Sequence, residues 1–194
     1  MSARVGRGIL VAAMVAGLAG CSGTWGLAAP VASASPSPSA IVAIVNDLAA
    51  GSTTRELTVG NIGLSADYYS TLAMDQWTAA ANKPLTFSLL GSLVGDEGQG
   101  IYLSRVTVAM AVTGPDGPLP APAPLTDQTT ITPGYLVKSP YTYSQTFILP
   151  AVDAAATSIA LSFTYELLLQ TTPTSTQYAK QTATDLLTIA IAAP

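Results

Sequence analysis

Residues able to carry out covalent or acid–base chemistry are scarce in this chain of 194 residues, which has no histidine and a single cysteine, Cys21. A Ser-His-Asp triad, a histidine general base and a histidine-rich metal site are therefore excluded. The sequence also lacks the G-x-S-x-G, S-x-x-K, P-loop and G-x-G-x-x-G motifs. We therefore expect a protein that is not an enzyme and needs no cofactor, with a hydrolase built on a pair of carboxylates as the alternative.

Three carboxylates are the candidates for a metal site. Asp96 and Glu97 lie in a glycine-rich loop at residues 91–100, and Asp153 lies in a second loop at residues 150–156. If consecutive strands alternate in direction, both loops lie at the same end of the domain, where carboxylate and carbonyl oxygens would suit calcium. Because the spacing differs from that of an EF-hand loop, solvated loop acids are the favoured interpretation.

Tyrosines and one long connection are the candidates for a binding surface. Tyr141 and Tyr143 are spaced two apart, which favours the core over a platform that stacks on sugars or peptides. Tyr135 lies beside a glycine and is the better candidate for exposure. It shares with Asp116 the longest connection, residues 114–140, and long loops on a rigid scaffold often carry binding sites.

The same alternation of strand directions places this long connection at the opposite end of the domain, with the loops at residues 75–83 and 171–181. We expect a partner to bind at that end. Deletion of residues 116–124 is then expected to abolish binding while leaving the melting temperature nearly unchanged. Trp77, which precedes a turn, is expected to plug the edge of the core.

The amino-terminal residues have the three parts of an export signal. Two arginines are followed at residues 9–18 by an uncharged apolar run that is too short to span a membrane comfortably. Leu18-Ala19-Gly20-Cys21 then resembles the lipobox of bacterial lipoproteins. The resemblance implies that residues 1–20 are removed as a signal peptide and that Cys21 is lipidated, and two or three acyl chains anchor a protein stably. An ordinary secretory signal cut after Ala34 is the alternative.

Residues 21–40 consist mostly of small residues and prolines, which predicts a disordered tether between the lipidated cysteine and the domain. Trp25, within it, is expected to be solvated. After removal of the signal, 5 basic residues face 11 acidic ones, and the net charge is −6. This balance argues against nucleic acid as a partner. The expected location is the extracytoplasmic face of the bacterial cell membrane.

Period-two alternation of apolar residues predicts β-strands through most of residues 41–194, which we expect to form one domain with its core strands from about residue 55. The clearest strand covers residues 157–169, where Ile159, Leu161 and Phe163 share one face with three later residues. About seven such segments, separated by turn signals, predict an all-β, antiparallel sandwich.

Two segments are ambiguous between helix and strand. Residues 41–50 place Ile41, Ile44, Val45 and Leu48 on one helical face, and we favour a short helix there over an edge strand. Residues 62–74 alternate with period two, although residues 65–81 also fit a helix. Alternation favours a strand in this second segment.

The stretch before the clearest strand resembles the E–F corner of immunoglobulin domains, whose pattern is Asp-x-Ala-x-Tyr-x-Cys. Here it is Asp153-x-Ala155-x-Thr157-x-Ile159, which keeps the acid and the alanine and lacks the tyrosine and the cysteine. The resemblance implies an immunoglobulin-like or fibronectin-like sandwich and nothing about activity.

The expected protein is therefore a lipid-anchored, non-catalytic β-sandwich that binds a partner in the cell envelope. The alternative is an accessory or solute-binding lipoprotein that presents a small ligand to an envelope complex. A deep apolar pocket with a few polar groups would favour this alternative, and a closed, filled core would argue against it.

Overall fold

Two antiparallel β-sheets face each other across a hydrophobic core in the computed structural model, which describes residues 44–193. The first sheet has the strand order β1-β2-β3-β8, and the second has the order β10-β9-β4, with three short strands along the free edge of β4. The strands are β1 (Ser52–Val59), β2 (Ile62–Tyr69), β3 (Lys83–Leu93), β4 (Ile101–Gly114), β5 (Gly117–Leu119), β6 (Leu125–Gln128), β7 (Tyr135–Leu136), β8 (Tyr143–Leu149), β9 (Ser158–Gln170) and β10 (Tyr178–Ala190).

The predicted all-β sandwich is confirmed. Seven of the ten strands are long, as the alternation indicates, and their burial follows the predicted period of two. In β2 the even-numbered residues from Ile62 to Tyr68 are buried. In β9 the odd-numbered residues from Ile159 to Leu167 are buried. Apolar area removed from water on this shared inner face is the main source of stability.

Strand pairing joins distant segments of the chain in each sheet. β3 pairs with β8 in one sheet, and β4 pairs with β9, which pairs with β10, in the other. β1 is joined to β2 by a two-residue turn. The first residue of this turn, Gly60, has a φ of 56°, a backbone conformation that residues with a side chain rarely adopt.

Residues 114–140 are not the irregular connection that the proline and glycine content predicts. β5, β6 and β7 each pair antiparallel with β4. This segment therefore runs back along the free edge of β4, from its end toward its start, as three short strands. Pro118 is tolerated in β5 because this strand lies at the edge of the sheet. Leu119 and Leu125 pack against the core. Deletion of residues 116–124 would therefore remove part of the sheet, which corrects the expectation that the segment is dispensable.

The helix expected at residues 41–50 is wrong for the described part of that segment, because residues 47–50 form a turn. The side-chain oxygen of Asn46 accepts a hydrogen bond from the Leu48 backbone at 3.1 Å, which favours a turn over a helix. Leu48 is buried, whereas Ile44 and Val45 are exposed. The strand favoured for residues 62–74 is confirmed as far as Tyr69, and one turn of 3-10 helix follows at Met74–Gln76.

Aromatic side chains fill the centre of the sandwich. Phe87 of β3 lies with its ring centroid 5.6 Å from that of Tyr165 and 6.0 Å from that of Phe163, both on β9 of the opposite sheet. Trp77 is fully buried at the edge of the core, as expected. Residues 41–194 form one compact unit with its own hydrophobic core, which is what independent folding requires. Among residues 44–193 no helix is long and apolar enough to cross a membrane.

Candidate functional site

The two ends of the sandwich differ from the expected arrangement. Leu149, the last residue of β8, pairs with Lys83, the first residue of β3, so the loop after β8 lies at the opposite end from the loop after β3. The reason is that residues 117–136 carry the chain back along β4 before β8 begins. We name the end formed by residues 70–82, 114–117, 150–157 and 191–193 the alanine end. The other, formed by residues 60–61, 94–100 and 171–177, is the glycine end.

The calcium site is not assembled. Asp96 and Glu97 lie at the glycine end and Asp153 lies at the alanine end, because their two loops follow antiparallel neighbours. Asp96 forms an ion pair with Lys138, and the hydrogen bond from Lys138 lowers the pKa of the Asp96 carboxyl group. Asp153 accepts a 2.8 Å hydrogen bond from the Ala155 backbone. Within residues 44–193 no three acidic or other metal-ligating side chains come close enough to hold a metal ion.

An apolar pocket of about 390 Å³ opens at the alanine end. Three segments form its walls: residues 78–80, residues 152–157 and residues 191–193. Most lining side chains are alanines, joined by Val152, Ile191 and the two threonines Thr78 and Thr157. No charged side chain of the described chain lines it. Its volume falls in the range of small-molecule sites, and its surface is mostly apolar with a polar minority.

Backbone hydrogen bonds hold the walls of the pocket together. Val152 donates to the Ala79 carbonyl at 2.9 Å, and Ala192 donates to the Trp77 carbonyl at 3.1 Å. Ile191 donates to the Thr157 carbonyl at 2.9 Å. Two of these bonds join one wall segment to another, and the third joins Ala192 to the buried Trp77 beside the first segment. The pocket is therefore a built feature of the end of the sandwich, and the lining is fixed by main-chain geometry.

Lys83 supports one wall from behind. Its side chain is fully buried, and the ammonium donates to the carbonyl of Ala81 at 2.7 Å and, at 3.4 Å, to those of Ala79 and Pro150. Burial lowers the pKa of the Lys83 ammonium, because the charged form loses hydration. The ammonium thus ties residues 79–81 to the turn that follows β8. No local pattern indicates this role, since an isolated lysine beside a proline is typical of a turn.

Replacing Lys83 with alanine is expected to lower the free energy of unfolding by about 3 kcal/mol, because the change opens a cavity and leaves buried carbonyls without donors. Lys83→Met keeps the aliphatic stem and should lose about 1 kcal/mol. Denaturant unfolding at neutral pH measures both, with the exposed Lys180→Ala as the matched control, expected within about 0.5 kcal/mol of the unchanged protein. Equal losses for Lys83→Ala and Lys180→Ala would contradict this role.

The pH dependence of Lys83 has a definite sign. The unfolded chain binds the lysine proton up to its usual pKa of 10.5, whereas the folded chain releases it at lower pH. Stability contributed by this group therefore rises with pH in the window between the lowered pKa and 10.5. Lys83→Met lacks this rise.

Tyr135, Tyr141 and Tyr143, the candidates for a binding platform, do not all lie together. Tyr135 and Tyr143 stack on each other with ring centroids 4.7 Å apart, and Tyr143 donates a hydrogen bond to Asp127. Burial and this bond raise the pKa of the Tyr143 phenol. Tyr141 is 58% exposed, so the core position expected for it is wrong. Its strand begins only at Tyr143, and it lies in the preceding turn.

Tyr141 lines a smaller, polar depression of about 250 Å³ next to the glycine end, together with Tyr102, Lys138 and Gln170. Two polar side chains of this depression, Lys138 and Gln170, already have hydrogen-bond partners. Lys138 binds Asp96 and the Gln99 carbonyl, and Gln170 accepts a hydrogen bond from Gly100 and donates one to Ser175. Asp116, the other candidate binding residue, is exposed at the tip of the β4–β5 hairpin at the alanine end.

Tyr68, Tyr165 and Asp185 form a hydrogen-bonded triad inside the sandwich, which no local sequence pattern indicates. The Tyr68 hydroxyl donates to Asp185 at 2.9 Å and lies 2.8 Å from the Tyr165 hydroxyl. Since the single Tyr68 proton goes to Asp185, Tyr165 donates to Tyr68. Desolvation by burial raises the pKa of both phenols well above the usual value, and the neighbouring carboxylate adds to this effect. The triad satisfies polar groups in the core and faces no cavity.

The carboxylate pair required by a hydrolase has its nearest counterpart on the open outer face of the first sheet. Glu56 pairs with Ser65 and Asp67 pairs with Thr54 across β1 and β2, so the two acids are diagonal neighbours. Each accepts a 2.6 Å hydrogen bond from the hydroxyl opposite, and both are exposed. A pair that works on a glycosidic bond needs a cleft around the substrate, and these two lie on a flat sheet surface.

Cys21, the signal at residues 1–20, the tether with Trp25, and residues 41–43 lie outside the described residues. Comparison of the chain with family models, with curated proteins and with solved structures gives no significant match. The function must therefore be argued from the chain's own residues, and the apolar pocket at the alanine end is the strongest candidate site.

Proposed function

We propose that this chain is a lipid-anchored, non-catalytic binding module on the extracytoplasmic face of the bacterial cell membrane. The pocket of about 390 Å³ at the alanine end is the observation that carries the binding role. The anchoring role is supported by the lipobox residues Leu18-Ala19-Gly20-Cys21. Support for a non-catalytic role comes from the composition, because the chain has no histidine and its one cysteine is the lipid-bearing residue of the proposal.

The solute-binding form of this proposal is favoured by the character of the pocket. A methyl-lined cavity in the size range of ligand sites would hold a small apolar molecule, and a lipid-anchored carrier would present it to a complex in the envelope. The core behind the pocket is filled by large side chains such as Trp77 and Phe87. A ligand would therefore sit at the end of the sandwich and not between the sheets.

Lipidation is expected to depend on Cys21 alone. In a bacterial host, the unchanged chain should be recovered from membranes with its amino terminus at residue 21 and should incorporate labelled palmitate. Cys21→Ala should incorporate none and should keep residues 1–20. Intact-mass spectrometry reads both results, and Ser22→Ala is the matched control, expected to behave as the unchanged chain. An unmodified thiol at Cys21 in the exported protein would overturn the anchoring proposal.

The binding role is tested by capture from envelope extract with residues 41–194. The variant Ala155→Trp narrows the pocket, whereas Ala121→Trp places the same side chain on the exposed connection between β5 and β6. A partner that binds through the pocket end should be captured by the unchanged unit and by Ala121→Trp and lost with Ala155→Trp. Equal capture by all three would place the interaction elsewhere and contradict the proposal.

A further inference from the structure

The walls of the pocket decide what can enter it. The lining consists of alanine, valine and isoleucine side chains with two threonines, and no charged side chain of the described residues reaches it. A ligand group inside the pocket must leave water without gaining an ion pair or several hydrogen bonds, so a charged or strongly polar group is disfavoured there. An aliphatic chain gives up no hydrogen bonds with water on entering, and its burial against apolar side chains is favourable.

The rim of the pocket decides what can remain outside the mouth. The alanine end carries three exposed carboxylates, those of Asp75, Asp116 and Asp153. Asp153 lies between the lining residues Val152 and Ala154. The β4–β5 hairpin that carries Asp116 reaches the same turn, because a Cβ added to Gly114 would lie 2.9 Å from the Ala155 carbonyl oxygen.

Cations that would neutralise this rim are missing from the loops of the alanine end. Within residues 70–82, 114–117, 150–157 and 191–193 there is no lysine or arginine. Lys83, the next basic residue along the chain, is fully buried and directs its ammonium to three backbone carbonyls. The loops of the alanine end thus carry three exposed negative charges, which the buried Lys83 ammonium behind the wall offsets only in part. The remaining negative charge attracts cations and repels anions over one Debye length, about 8–10 Å.

We infer that the pocket binds the aliphatic chain of an amphiphile with a positively charged head group, with the chain among the alanine methyls and the head among Asp75, Asp116 and Asp153. The inference rests on the proposed binding role and names the ligand class for that site. It excludes free fatty acids, whose carboxylate would face the same three acids.

The test compares two probes of equal chain length on residues 41–194. Octyltrimethylammonium should bind about tenfold more tightly than octanoate at low salt, and the difference should shrink at high salt as the rim is screened. With methyl-labelled alanine, NMR shifts should concentrate at Ala79, Ala154, Ala155 and Ala192. Octanoate binding as tightly as the cation, shifts centred elsewhere, or no binding of either probe at millimolar concentration would each overturn the inference.

Variants separate the two parts of the site. Ala155→Trp and Ala80→Trp both fill the pocket from exposed lining positions and should each abolish probe binding, whereas Ala121→Trp should not. A combined Asp75→Asn, Asp116→Asn and Asp153→Asn variant should bind both probes equally. Glu97→Gln removes one exposed charge at the glycine end and should leave the preference for the cation unchanged.

These outcomes are independent of the test for lipidation. The probe experiment uses the unit at residues 41–194, which lacks Cys21, and the mass of the exported full chain reports on the anchor. If both probes bind in the pocket with equal affinity, the proposed ligand class is refuted and the solute-binding function stands. Loss of all pocket binding, with lipidation at Cys21 intact, would refute the solute-binding form of the function and leave the anchor standing.

Discussion

Replacing Phe87 with alanine is expected to lower the free energy of unfolding by about 4 kcal/mol, the largest loss among single substitutions considered. Phe87 is fully buried, and its ring packs against aromatic rings of both sheets. Its centroid lies within 6.0 Å of Phe147 on the neighbouring strand and of Phe163 and Tyr165 on the opposite sheet. Removal leaves a cavity that these rings cannot close without moving the sheets.

Denaturant unfolding monitored by circular dichroism measures this loss. Tyr141→Ala is the matched control, because it also removes an aromatic side chain, but from a position that is 58% exposed. The control should change stability by less than about 0.5 kcal/mol. Phe87→Leu, which retains much of the buried volume, should fall between the two. A loss below about 1 kcal/mol for Phe87→Ala would contradict the placement of this ring at the centre of the core.

Raising the pH above 10 is expected to lower the free energy of unfolding by about 3 kcal/mol for each pH unit, because the two most deeply buried phenols keep their protons only in the folded protein. Burial raises the pKa of Tyr68 and Tyr165 above the usual 10.0, and the half-buried Tyr143, whose pKa is also raised, adds a smaller loss of the same sign. A raised folded-state pKa contributes stability that is fully present below pH 10 and is lost as the unfolded chain ionises above it. Two pH units would remove about 6 kcal/mol, comparable to the whole stability of many domains.

Unfolding curves at pH 7, 10 and 11 test this dependence, and tyrosinate absorbance should rise together with unfolding. Tyr165→Phe removes one of these phenols and should lower the slope between pH 10 and 11 by about 1.4 kcal/mol for each pH unit. Tyr141→Phe alters an exposed tyrosine and should leave the slope unchanged. The rise contributed by Lys83 ends near pH 10.5, its usual pKa, and therefore does not mask the fall above that value. Smooth ionisation of all tyrosines without unfolding would contradict the buried triad.

The long strands were accessible from the sequence because each depends on a local pattern. Burial of every second residue in β9 follows from the alternation between Ile159 and Leu167, and the one buried face of β2 follows in the same way. The residue at which β2 ends could not be predicted from the sequence. Ser70 ends it by donating to the Pro84 carbonyl and accepting hydrogen bonds from Leu72 and Trp77, and these partners are set by the folded chain.

The arrangement of the loops was the main failure, and its cause is identifiable. Counting strands as alternating up and down treats residues 114–140 as one crossing, whereas β5, β6 and β7 return along β4 before β8 begins. That return separates Asp153 from Asp96 and brings Asp153 to the end that carries Asp116. Proline and glycine content indicates a break in regular structure and does not indicate which sheet edge the chain follows.

The apolar pocket at the alanine end could not be predicted from the sequence, for a related reason. Alanines at residues 79–80, 154–156 and 192–193 are unremarkable in a chain with this composition, and they are far apart in sequence. Lys83 and the phenols of Tyr68 and Tyr165 appear as ordinary members of their segments. Their roles depend on partners such as Pro150 and Asp185, which lie 67 and 117 residues away from Lys83 and Tyr68.

By itself, the sequence determined the fold class, the inner face of the long strands and the absence of histidine chemistry, because these depend on composition and on the period of neighbouring side chains. It also contains the residues Leu18-Ala19-Gly20-Cys21, which resemble a lipobox and support the proposed anchor. Only the tertiary structure decided which loops share an end, which polar groups are buried together and where a pocket opens. Those properties arise from contacts between residues distant in the chain, and such contacts form through long-range strand pairing that no local pattern encodes.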